Sequence, residues 1–134
     1  MPRPVDPDLR PVALVPVVLA LVLNAGFYLP RVPGAEPVGL LVPMADKLVH
    51  VGVFALTVWA IGRVLAPRRR FPIGWVALGA LAHAVLVEAV QGALLPGRSA
   101  SAGDVVADAI GIALGVTAWW AERGRSAGVS GPAA

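Results

Sequence analysis

The sequence predicts an all-α chain, a polytopic integral membrane protein with four transmembrane helices. Three observations carry this. Hydrophobic residues make up 57% of the 134 residues and charged residues only 14%, with a mean hydropathy of +0.77, whereas soluble domains are about a quarter charged. Apolar runs near the ~20 residues that cross a bilayer as a helix recur four times. Between them lie short stretches of Pro, Gly and Arg, which break helices or stay in water. The chain has no cysteine, which excludes disulfides and thiolate metal sites. The net charge of +3 and pI near 10.6 fit arginines in cytoplasmic loops; no nucleic-acid partner is expected.

Met1 to Arg10, with Pro2, Pro4 and Pro7, reads as a cytoplasmic N-terminal tail. Residues 11–121 form the predicted four-helix domain. Its first span, Pro11 to Leu29, contains no charge. It is expected to be an uncleaved anchor, because Asn24-Ala25-Gly26-Phe27-Tyr28 is a poor signal-peptide cleavage site. Pro30 to Pro43 is a loop rich in Pro and Gly, with an apolar middle from Val38 to Val42 that is expected to dip into the interface. The second span runs from Ala45 to Leu65. A basic turn follows at Arg68-Arg69-Arg70. The third span runs from Phe71 or Pro72 to Leu95, and the fourth from Ala102 to Trp120. Residues 122–134 read as a disordered cytoplasmic tail.

Four spans put both termini on one side. That side collects Arg3, Arg10, Arg63, Arg68, Arg69, Arg70, Arg123 and Arg125, against Arg31, Lys47 and Arg98 on the other. Cytoplasmic loops carry the excess of basic residues, so the termini are expected in the cytoplasm and the chain in the cytoplasmic membrane. Trp75, Trp119 and Trp120 then fall near the inner interface and Tyr28 near the outer one.

With this topology the ionisable groups converge near the outer leaflet. Asp46 and Lys47 enter the second span with His50 one turn deeper. Glu88 and Gln91 lie near the end of the third span. Arg98 sits in the following turn, and Asp104 and Asp108 open the fourth span. Asp46 and His50, Glu88 and Gln91, and Asp104 and Asp108 are each three or four apart, so each pair shares a helix face. Charges within hydrocarbon cost at least ~2.5–3.5 kcal/mol each near its centre, so these faces are expected to turn inward and pair, with Arg98 as counter-ion to Asp104 or Glu88. Small residues at Gly103, Ala107, Gly111 and Gly115 mark a close-packing face on the fourth span. His83 lies about 140° around the helix from Glu88 and is expected to be a packed or hydrogen-bonded histidine outside the cluster.

The set Asp46-Lys47-x-x-His50-x-x-x-Phe54, Glu88-x-x-Gln91 and Arg98-x5-Asp104-x3-Asp108-x2-Gly111 resembles the VanZ-like family of small bacterial membrane proteins, over roughly residues 15 to 120. The resemblance implies a multi-helix protein of the cytoplasmic membrane; the named member is associated with teicoplanin (glycopeptide) resistance. It brings no settled chemical activity. The family often has Asn where this chain has Asp108, so this cluster carries an added acid.

Two functional classes follow. In the first, His50, Glu88 and Asp104 carry acid–base chemistry, with His50 or Glu88 as general base. Asp46, Lys47, Gln91, Arg98 and Asp108 bind a ligand. Lys47 and Arg98 hold the phosphate or carboxylate of an anionic, lipid-linked envelope substrate or peptidoglycan precursor. No metal is assigned, although the carboxylates with His50 as a further ligand could take a divalent ion. In the second, the cluster is non-catalytic: it binds a lipid or drug headgroup, or locks the helices together. The sequence names no cofactor; its constant partners are the membrane lipids.

Overall fold

The computed structural model describes residues 11–30, 44–66 and 72–129. Within them the chain is all-helical: α1 Pro11–Gly26, α2 Ala45–Leu65, α3 Ile73–Leu94 and α4 Ala102–Val129. The last three are long and apolar enough to cross a membrane. At about 1.5 Å per residue, α1 with its 16 residues is about 24 Å long, short of the ~30 Å hydrocarbon core.

The predicted first span ran to Leu29, but the α-helix stops three residues earlier. The backbone tightens there into a run of bonds three residues apart, from Phe27, Tyr28 and Leu29 N–H to the carbonyls of Asn24, Ala25 and Gly26. Leu29 precedes Pro30, and a residue before proline is sterically disfavoured in the α region. The same rule ends α3. Leu95, before Pro96, is extended at φ −101° and ψ 119°. Pro96 and Gly97 then form a tight turn closed by Arg98 N–H to the Leu95 carbonyl at 3.3 Å. Gly97 has φ +72°, the left-handed value that the third position of a type II turn requires and that glycine adopts without steric cost.

The predicted second span coincides with α2. The fourth continues past Trp120 to Val129, so residues 122–129 are helical rather than a disordered tail. Contacts with the far end of α2 explain the extension. Glu122 accepts a hydrogen bond from Trp59 Nε1 at 2.8 Å and pairs with Arg63 at 3.1 Å. Arg123 stacks over Trp119 and donates to the Ala66 carbonyl. The expectations placed on residues 1–10, 31–43, 67–71 and 130–134, including the arginine turn, lie outside the described residues.

α2 and α4 make the most extensive helix–helix contact, and α1 and α3 flank them. The small-residue face on α4 is what brings them together. A β-carbon added at Gly111 would collide with the Val51 carbonyl, and one at Gly115 would sit 2.6 Å from the Ala55 carbonyl and 2.9 Å from Val58 Cβ. Such an approach is open only to glycine.

The burial pattern inverts that of a soluble protein. Asn24, His50, Thr57, Glu88, Gln91, Asp104 and Asp108 are buried, while Leu21, Val22, Leu78, Val85, Leu86, Val106, Ile110, Leu114 and other large apolar side chains are exposed. Buried polar groups combined with an apolar exterior are the informative departures from ordinary burial, and they suit a lipid surrounding. The apolar core is Phe27, Val53, Phe54, Val58, Val76, Ala80, Ala84, Val87 and Ile112.

Candidate functional site

At the α2 N-terminus, the α3–α4 turn and the start of α4, a cavity of about 210 Å³ opens, lined by Asp46, Lys47, Gln91, Arg98, Ser99, Ser101 and Asp104. Every lining residue is polar. Five of the eight residues expected in a shared site therefore line one space. The other three, His50, Glu88 and Asp108, are buried behind it at 1%, 5% and 0% exposure.

Each helix supplies its part for a local reason. The close contact of α2 and α4 places their first turns side by side. Lys47 Nζ lies 3.0 Å from Asp104 Oδ1, and one turn deeper His50 Nδ1 lies 2.9 Å from Asp108 Oδ1. These rungs repeat at three residues on α2 and four on α4 because both helices present one face to the other. The lower rung is closed to solvent; the upper is partly open, with the Lys47 side chain 37% exposed.

Glu88 serves the start of α4. Ser101 lies just ahead of that helix, and its Oγ accepts the Asp104 N–H at 3.3 Å, as an N-cap serine does. In a capping box the acid three residues on would bind the serine's own N–H in return. Asp104 is instead paired with Lys47, and the Ser101 N–H donates to Glu88 Oε2 from α3 at 2.6 Å. A carboxylate at a helix N-terminus is also favoured by the helix dipole.

Arg98 does not pair with Asp104 or Glu88 as expected. Its Nε donates to the Leu29 carbonyl at 2.9 Å, and Gln91 Nε2 donates to the Phe27 carbonyl at 2.9 Å. The end of α1 leaves carbonyls without intrahelical partners, and these two side chains supply the donors. They tie the turn after α1 to the end of α3.

Among the described residues, two buried carboxylate oxygens, Glu88 Oε1 and Asp108 Oδ2, have no hydrogen-bond partner. Among the described residues, Asp46, His50 and Asp104 also form a group whose ligand-capable atoms all lie within 4.8 Å of one another.

A second polar network, deeper in the bundle, contains residues that the sequence had not singled out. Asn24 Nδ2 donates to the Ala20 carbonyl at 2.7 Å and to Thr57 Oγ1 at 2.8 Å. Thr57 Oγ1 donates to the Val53 carbonyl. His83 Nε2 meets Asn24 Oδ1 at 3.0 Å, and His83 Nδ1 meets the Tyr28 hydroxyl at 3.3 Å. His83 is thus hydrogen-bonded and outside the pocket, as its helical angle implied. The available signal was Asn24, the only amide side chain in the first apolar run. Asn24, Thr57 and His83 close the polar end of a groove of about 360 Å³ whose other walls include Leu21, Ile61, Trp75 and Val76. Between groove and pocket stands an aromatic layer, with the Phe27 ring 4.4 Å from His50 and the Phe54 ring 5.8 Å from His83.

Fold and site together define a class: an all-helical chain with three helices that could cross a membrane and a polar pocket where three of its elements meet. Comparison with family models, with curated proteins and with solved structures finds no match.

Proposed function

We propose that this chain is a multi-pass protein of the cytoplasmic membrane, with both termini cytoplasmic, whose polar pocket opens outward and binds the anionic headgroup of an envelope lipid or lipid-linked peptidoglycan precursor. The observation that carries the reading is the all-polar lining of the cavity, with Lys47 and Arg98 among its residues. A guanidinium presents a planar fork of donors to phosphate or carboxylate. Arg98 Nε donates to the Leu29 carbonyl, which leaves the two terminal nitrogens without a hydrogen-bond partner among the described residues. The apolar exterior suits a ligand that reaches the pocket from the membrane. The resemblance to the VanZ-like family directs the physiological test toward teicoplanin and other glycopeptides.

Binding is better supported than acid–base chemistry. A general base must come within hydrogen-bond reach of its proton, and of His50, Glu88 and Asp104 only Asp104 lines the cavity.

A second reading, a structural lock, is favoured by one specific observation: Lys47, His50, Glu88, Gln91 and Arg98 each have a partner inside the chain. The two readings separate in a cell expressing the protein and challenged with teicoplanin. A headgroup site predicts that Arg98→Ala protein, inserted at normal abundance, loses any protection that the wild type confers. A lock predicts that protection falls only as abundance falls.

A further inference from the structure

We propose that a divalent cation binds where Asp46 and Asp104 of the pocket wall meet His50 buried behind it, with His50 Nε2, Asp46 and Asp104 as ligands and Asp108 as the residue that orients His50. The proposal deepens the reading of the pocket as a ligand site.

The donor atoms of the three residues lie within 4.8 Å of one another, so small side-chain movements bring them around one ion at ~2.0–2.2 Å. His50 is set for the role. Its Nδ1 is engaged by Asp108 Oδ1 at 2.9 Å. An ionised carboxylate only accepts, so Nδ1 carries a proton toward Asp108; in the neutral ring the lone pair is on Nε2, and an imidazolium would release its Nε2 proton on binding the metal. Metal-binding histidines commonly donate their other ring N–H to a carboxylate, which fixes tautomer and ring orientation. Asp104 gives one oxygen to Lys47 and has a second. One imidazole with two carboxylates is a hard-to-borderline donor set that suits Zn²⁺ or Mn²⁺.

A second observation points to a cation independently. Glu88, Asp104 and Asp108 are all more than nine-tenths buried. Among the described residues, only Asp104 of these three meets a permanently charged cation, Lys47. Asp108 Oδ2 and Glu88 Oε1 meet no donor among the described residues. A buried carboxylate with an unsatisfied oxygen is costly, and a divalent ion held by His50 adds positive charge on the far side of the imidazole that Asp108 engages.

The test is zinc binding by the full chain in detergent, stripped with chelator and titrated with Zn²⁺ alone by calorimetry, with stoichiometry read by elemental analysis. One Zn²⁺ per chain is expected. Asp108→Asn should weaken it by about 10–100-fold, and His50→Ala and the shape-conserving Asp104→Asn by more. His83→Ala, which removes the other histidine, should leave affinity unchanged. Lys47→Ala should tighten zinc binding by releasing Asp104 Oδ1, whereas on the headgroup reading the same change weakens a polyisoprenyl phosphate. Folded wild-type protein that takes up no stoichiometric Zn²⁺, or Asp104→Asn protein that binds it as well as wild type, overturns the cation site. Failure of zinc with retained polyisoprenyl phosphate binding leaves the headgroup reading standing; failure of both removes the pocket as a ligand site.

Discussion

His50 and Asp108 form a closed pair between α2 and α4, 2.9 Å apart and exposed by 1% and 0%. Two ionisable side chains are rarely so completely excluded from solvent, and the helices that carry them touch because Gly111, three residues beyond Asp108, admits the Val51 carbonyl. Packing and polar chemistry here are one feature. The glycine sets the distance and the pair fills it.

Breaking the pair from one side should therefore be severe. Removing one partner of a buried hydrogen bond leaves the other unsatisfied at a cost of about 1–3 kcal/mol, so Asp108→Ala and His50→Ala should each lower the unfolding free energy read from a denaturing-detergent titration by that order. The double variant should be less damaged than the two single effects together, with a coupling above about 1 kcal/mol. Additive effects would mean that the residues do not interact.

The glycines of α4 give a complementary prediction about shape. Gly111→Ala and Gly115→Ala overpack the α2–α4 contact, which costs about 1–3 kcal/mol. A β-carbon at Gly52, Gly79 or Gly124 meets nothing within 4 Å. Alanine there should be neutral, or stabilising by up to about 1 kcal/mol through helix propensity. The same unfolding titration distinguishes the groups, and equal tolerance at all five positions would contradict the close approach.

Glu88 and Ser101 predict a local effect at the start of α4. Loss of an N-cap side chain costs about 0.5–2 kcal/mol. Ser101→Ala and Glu88→Ala should speed amide hydrogen exchange at Ser101 and Asp104 while leaving mid-helix amides protected. Glu88→Gln, which retains an acceptor oxygen, should behave nearly as wild type. Unchanged exchange in Glu88→Ala would show that the carboxylate does not hold that N–H.

Asn24 joins α1 to α2 through Thr57 and to α3 through His83. Interhelical hydrogen bonds in membranes average about 0.6 kcal/mol and reach ~1.7, so Asn24→Leu should cost about 1–3 kcal/mol for the network. The loss should appear at α1, as increased exchange or protease access there before the rest of the bundle. Uniform destabilisation would place the network's role elsewhere.

The helices and the polar convergence were legible in the sequence because long apolar runs favour helices of spanning length, and charged groups within such runs are expected to turn inward and meet. Lys47 with Asp104, and His50 with Asp108, follow from three- and four-residue spacing on two helices once those helices are adjacent. The glycine ladder that makes them adjacent could be read too. The partners of Arg98 and Gln91 could not, since they are backbone carbonyls exposed where α1 ends early, and a carbonyl leaves no mark in a sequence. The extension of α4 to Val129 was hidden for a similar reason. Its composition is polar, and only the contacts of Glu122 with Trp59 and Arg63 and of Arg123 with Trp119 make a helix there worth forming. His50 and Glu88 looked like candidate bases by residue type, but depth, which spacing alone resolves poorly, puts both behind the cavity wall.

On the headgroup reading the pocket receives an anionic ligand and is more than a lock between helices. The most direct test of that reading is native mass spectrometry of the full chain in detergent with a polyisoprenyl phosphate, comparing wild type, Lys47→Ala and Arg98→Ala at matched unfolding midpoints. Retention by wild type and at least tenfold weaker retention by Arg98→Ala, equivalent to about 1.4 kcal/mol, are expected. Equal retention by all three proteins would contradict it.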